Sequence, residues 1–167
     1  MTAARPIVAP FAPPWLVTAR SEIGVRERPG KPNNARIQEY HAATRGGGVL
    51  HRLDQTAWCS SFLNWVFARY DIEGTRSKRA RSWESWGVEL TEPVLGCVVV
   101  FSRGPKLSGL GHVALFEQQL GEMVLVTGGN QKNSVCRAGY PLRRVITYRW
   151  PDTPPALSLL ARLRDAS

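Results

Sequence analysis

Little in this sequence would tie the chain together covalently or through a metal. Its 167 residues include three cysteines, at 59, 97 and 136, and no C-x-x-C pair. So few thiols at such wide spacing support neither a disulfide framework nor a zinc ribbon, and the odd count suits a reducing cytoplasm better than an oxidised scaffold. The three histidines, at 41, 51 and 112, form no H-E-x-x-H, which leaves a zinc hydrolase without its ligand pattern. No metal and no cofactor is expected. Long apolar runs are also missing. No stretch approaches the roughly 20 apolar residues of a membrane helix, so no transmembrane segment is expected. Prolines at 6, 10, 13 and 14 interrupt any signal-peptide core, and synthesis in the cytoplasm is the expectation.

Acid is scarce relative to base. Lysine and arginine number 22 against 13 aspartates and glutamates, a formal charge of +9. Such an excess attracts a polyanion, which is nucleic acid, an anionic membrane surface or a bacterial wall; charge alone does not choose. The local cluster Arg76-Ser77-Lys78-Arg79-Ala80-Arg81 reads either as a solvated helix start or as a binding patch. A chain of this length buries roughly 68–70% of its unfolded surface and is expected to form one domain over residues 14–151. Residues 1–13 read as a flexible arm and residues 152–167 as a tail with a short amphipathic helix over Leu157 to Leu163.

Helical patterns come first. Pro13 and Pro14 suit a helix start, and Trp15, Leu16, Ala19 and Ile23 carry an apolar stripe up to Gly24. Asn33 or Asn34 caps a short helix bearing Ile37, Tyr40 and His41, which ends before Gly46-Gly47-Gly48. Ser77 is placed to cap another through Ala80, Trp83 and Trp86. That tryptophan pair, three residues apart, packs into the body or lines a groove. Strand patterns follow: Cys97 to Phe101, His112 to Glu117, Met123 to Thr127 and Arg143 to Trp150, expected as an antiparallel meander. Helices first and strands later make an α+β chain.

The stretch with the most chemistry is Trp58-Cys59-Ser60-Ser61-Phe62-Leu63-Asn64-Trp65-Val66-Phe67. Its apolar spacing predicts a helix of about three turns with Cys59 in the first, capped from Asp54, Gln55 and Thr56. Free backbone N–H groups and the positive end of the helix dipole there favour a thiolate. A buried cysteine kept for packing is the plain alternative. Gly96-Cys97-Val98-Val99-Val100-Phe101 then reads as a buried strand, a loop follows, and His112 opens the next strand. A third strand ends in Gly128-Gly129-Asn130-Gln131, whose amides are placed to fix an imidazole tautomer. Adjacent residues on an extended backbone point apart, so one amide faces His112, and Asn130 is the expected one. His41 and His51 are assigned to surface or packing, and Cys136 to a polar loop.

Cys59 at a helix start, a Gly-x-Val-Val-Val-Phe strand, Gly111-His112-Val113 and a later polar residue together resemble the NlpC/P60 and CHAP cysteine peptidases. Glu22-Ile23-Gly24-Val25, Tyr40-His41, Trp58-Cys59-Ser60, Ala80-Arg81-Ser82-Trp83, Gly128-Gly129-Asn130-Gln131 and Tyr148-Arg149-Trp150-Pro151 resemble a compact phage and bacterial subgroup of that superfamily. The likeness runs from about Trp15 to Pro151. Cys97 departs from it, standing where many relatives carry a polar residue such as Asp, with an effect expected on packing. The resemblance implies a papain-like fold, with N-terminal helices and the catalytic cysteine packed on an antiparallel sheet. It implies a peptidoglycan hydrolase, either an N-acetylmuramoyl-L-alanine amidase or an endopeptidase of the stem peptide, working through Cys59, His112 and Asn130. Gln55, Trp58, Trp83 and Gln131 are the candidate substrate-binding residues.

Bacterial peptidoglycan is thus the expected partner of a monomer, with an immunity protein if the chain is an injected antibacterial effector rather than a phage endolysin. No nucleic acid is expected. Action in the periplasm or wall would follow release or injection. Two other readings stay open: a basic binding module for wall or nucleic acid on the same scaffold, and an acyltransferase using the same triad.

Overall fold

The computed structural model describes residues 11–28, 30, 33–45 and 57–165. Among the described residues, four α-helices and a sheet make up an α+β body. Helix α1, Pro14–Ser21, starts on Pro14, where a missing N–H leaves nothing unsatisfied. Helix α2, Ala35–Ala42, is capped by Asn34, whose side chain accepts from the Arg36 N–H at 2.9 Å. Helix α3, Cys59–Ala68, begins at Cys59 after Trp58, which supplies no side-chain cap. The expected capping residues Asp54 to Thr56 lie outside the described residues, as do Gly46 to Gly48 and His51. The segment after Ser77 is a 3₁₀ turn over Ala80–Ser85 rather than an α-helix, with Ser77 Oγ accepting from the Arg79 N–H.

Six strands follow among the described residues: β1 Val88–Leu90, β2 Val98–Ser102, β3 Gly111–Leu120, β4 Met123–Gln131, β5 Ser134–Pro141 and β6 Val145–Trp150. All pairings are antiparallel, in the order β1-β6-β2-β3-β4-β5. The expected meander holds from β2 to β5, but β6 then crosses back to pair with the other side of β2. Only the short turn Leu142–Arg144 links β5 to β6, so the sheet must curl until the end of β5 meets β2. Accordingly the Tyr140 ring lies 4.8 Å from that of Phe101. Strand β5 was expected as loop because its alternation is weak and Gly139 and Pro141 interrupt it; it is an edge strand, where proline is tolerated. A tight turn joins β3 to β4, with Leu120 paired to Met123 across Gly121 and Glu122.

Every residue of β2 is buried, which accounts for its unbroken apolar run. Helix α1 is pinned by Trp15, whose Nε1 donates to the Gly96 carbonyl at 2.8 Å and whose ring meets Trp150 and Phe67. Tyr40, Phe62 and Trp65 form a second aromatic cluster joining α2 to α3. Helix α4, Pro154–Asp165, buries Ala156, Leu159, Leu160 and Leu163, and Trp150 Nε1 donates to the Ala156 carbonyl. No described helix is long and apolar enough to cross a membrane.

Candidate active site

Helix α3 lies against β3 and β4, where Gly129 lets the helix come close and Gly128 lets β4 lie close to Ala114 of β3. A Cβ on Gly129 would meet Phe62 Cβ and Trp58 Cζ3 at 2.7 Å; one on Gly128 would meet Ala114 Cβ at 2.7 Å. The first turn of α3 therefore rests on the end of β4 and the start of β3. Cys59 is buried there, and the Val113 backbone N–H is directed at its sulfur. Val113 is the residue after His112, so thiol and imidazole come from adjoining positions of helix and strand.

His112 is 5% exposed and its Nε2 is 2.9 Å from Gln131 Oε1. Gln131 Nε2 in turn donates to the Cys136 carbonyl at 2.6 Å. That second bond fixes which end of the carboxamide faces the ring. Oε1 accepts, so the imidazole carries its hydrogen on Nε2 and presents a lone pair on Nδ1. Phe101 and Tyr140 flank the ring, with centroids at 6.3 and 5.0 Å.

The amide that meets His112 is thus that of Gln131, not of Asn130. The alternation argument was sound, but β4 slips register between Gly128 and Gln131, and Asn130 sits at φ +56°. This bulge turns Asn130 away and brings Gln131 inward. Gln131 is correspondingly 2% exposed and unavailable to line a substrate groove.

Two further expectations are corrected by burial. Trp58 and Trp83 are both fully buried. Trp58 Nε1 donates to Glu27, and Trp83 Nε1 to Ser60 Oγ, so neither ring offers a face to a ligand. Gln55 lies outside the described residues. His41 is a packing residue, buried with Nδ1 2.9 Å from Ser61 Oγ. Cys97 is sealed in the core, where burial pushes its thiol up to about 12. Cys136 is on β5, not in a loop, and supports Gln131 through its carbonyl.

The protonation of Cys59 also differs from expectation. Burial pushes its thiol above the ordinary value, outweighing the backbone N–H groups of Val113 and Ser60 and the charge of Arg103. Magnitudes explain the outcome. A helix N-terminus contributes about 0.3–1 kcal/mol, while desolvating an anion costs several. Burial also lowers His112 to about 4, against the bond from Gln131, which favours the charged ring; Arg103 and Arg144 lower it further. At rest the site holds a protonated thiol at Cys59 and a neutral imidazole at His112. Sequence reasoning missed Tyr140, Arg103 and Arg144, which reach this site through the curl of the sheet, a feature that no local spacing encodes.

A first-turn thiol on α3, an imidazole on β3 and a carboxamide behind it on β4 are groups of the kind that nucleophilic acyl transfer uses. Residues 52–130 match the family model of the CHAP domain, part of the NlpC/P60 and papain-like amidase superfamily. The α+β fold, with Cys59 opening α3, is consistent with that family. Domains of the family are usually cysteine-dependent amidohydrolases, which implies an amidase or peptidase acting on peptidoglycan. The chain matches no curated protein significantly.

Proposed function

We propose that the protein hydrolyses an amide bond of the peptidoglycan stem peptide, with Cys59 as nucleophile, His112 as general base and acid, and Gln131 as the orienting group. The observation that carries this reading is the chain of contacts from Cys136 through Gln131 to His112, with Cys59 against the next residue of β3. In this reading His112 takes the thiol proton on Nδ1 as the sulfur attacks the carbonyl carbon. Proton loss accompanies attack, because the resting sulfur is not ionised. Backbone N–H groups of the α3 first turn, that of Cys59 among them, receive the oxyanion. His112 returns the proton to the leaving amine, and water then clears the thioester.

The bond is the sugar–peptide amide or one within the stem. In this reading the protein reaches the wall as a phage endolysin or as an injected antibacterial effector, the latter paired with an immunity protein. Digestion of purified sacculi with wild type and Cys59→Ala, followed by mass spectrometry of the released muropeptides, tests the reading. New ends from wild type alone support it and identify the bond; identical products from both proteins remove Cys59 from the chemistry.

A further inference from the structure

The mouth of the site carries charge that its surroundings do not balance. Three guanidinium groups stand around the start of β3. Arg81 packs over Gly111 and is paired with Glu84. Arg103 and Arg144 differ, since neither makes an ion pair among the described residues. Arg103 is exposed on the link from β2 to β3. Arg144 is half-buried and held from two sides: its Nε donates to the Ser102 carbonyl at 2.8 Å, and its guanidinium lies 5.3 Å over the Tyr140 ring. Tyr140 in turn faces His112, at 5.0 Å between centroids. Ordering an arginine costs side-chain entropy, and gathering like charges at one site costs Coulomb energy; a bound anion offsets both. The charge of each is felt at His112, and that of Arg103 also at Cys59.

We propose that Arg103 and Arg144, with Tyr140 as the platform that positions Arg144, form an anion subsite for a carboxylate of an acidic peptide substrate, beside the bond that Cys59 attacks. The proposal rests on the reading given above and names the specificity of that same site. Because the Arg144 Nε is committed to Ser102, its Nη groups are the donors left for the ligand, in the planar fork that suits a carboxylate.

The test uses a stem peptide with free carboxylates and the same peptide with those groups converted to carboxamides. Wild type is expected to favour the free acid by roughly 10-fold or more in kcat/KM, chiefly through KM. The double variant Arg103→Gln/Arg144→Gln brings the ratio toward one, and Arg144→Lys, which keeps charge but loses the fork, falls between. Arg162→Gln/Arg164→Gln, an equal loss of charge on α4, leaves the ratio unchanged. A ratio near one in wild type, or one unaltered in the double variant, overturns the proposal. Calorimetric binding of both peptides to Cys59→Ala, with and without the two arginine substitutions, separates subsite from chemistry. An arginine-dependent preference for the free acid there upholds the subsite even if wild type cleaves neither peptide; no preference refutes it even if cleavage is robust.

Discussion

His112 gives the hydrogen on its Nε2 to Oε1 of Gln131 across 2.9 Å, and the Gln131 Nε2, tied to the Cys136 carbonyl, prevents the amide from turning over. One carboxamide therefore sets both the direction and the tautomer of the ring. Gln131→Ala is expected to lower kcat by on the order of 100-fold, because the imidazole is then free to rotate and to exchange its hydrogen between nitrogens. Asn130→Gly is expected to stay within about threefold of wild type, since glycine accepts the left-handed backbone at φ +56° without cost. Nitrogen NMR of the imidazole supplies the second readout: a protonated Nε2 in wild type, and a tautomer mixture in Gln131→Ala. If Asn130→Gly proves the more damaging variant, the assignment of the orienting residue is wrong.

The contact between β4 and α3 makes a second prediction. Gly129→Ala would set a methyl 2.7 Å from Phe62 Cβ and from the Trp58 ring, both fully buried and unable to step aside. Overpacking of this kind costs about 1–3 kcal/mol. It also moves the first turn of α3 away from the end of β4, so activity should fall together with stability. Gly139→Ala is the comparison, because its methyl would meet only the flexible end of Met123 at 3.3 Å. Urea midpoints that are equal for the two variants would mean that α3 does not rest on Gly129.

Much of this arrangement is written in local sequence. The run of valines in β2 reads as a buried strand because the strand is covered on both faces, and Asn34 and Pro14 mark their helix starts by chemistry that acts within one turn. Cys59 and His112 were legible for the same reason, each standing at an element boundary. Gln131 was not, because a bulge reverses the alternation that local spacing assumes, and the two-residue turn Lys132-Asn133, at φ +51° and +57°, carries no glycine to announce it. Strand β5 was missed because an edge strand has few apolar residues to show. With it went Tyr140 and the support that Cys136 gives to Gln131. The charge on Cys59 was misjudged for a different reason: the helix dipole is a local property, whereas burial depends on what the rest of the chain lays over the thiol.

Burial of His112 gives a pH dependence whose sign is fixed. The ring is held near 4 by burial, with Arg103 and Arg144 adding to it, against an ordinary value of 6.5. Between those values an unfolded chain binds a proton that the folded site refuses. The unfolded state thus holds more protons, and folding stability rises with pH across that window. The contribution of the neutral ring is complete above about pH 6.5, is lost as pH falls toward 4 and then levels, and amounts to about 3 kcal/mol. Urea unfolding of wild type and His112→Gln at pH 7 and pH 4.5 isolates it from the carboxylates, which titrate alike in both proteins. Wild type should lose about 2–3 kcal/mol more than the variant on acidification. The same depression moves the acid limb of kcat/KM, so activity should persist well below pH 6.5 instead of halving there. Equal losses of stability in the two proteins, with an acid limb at 6.5, would show an imidazole that solvent reaches and that burial does not control.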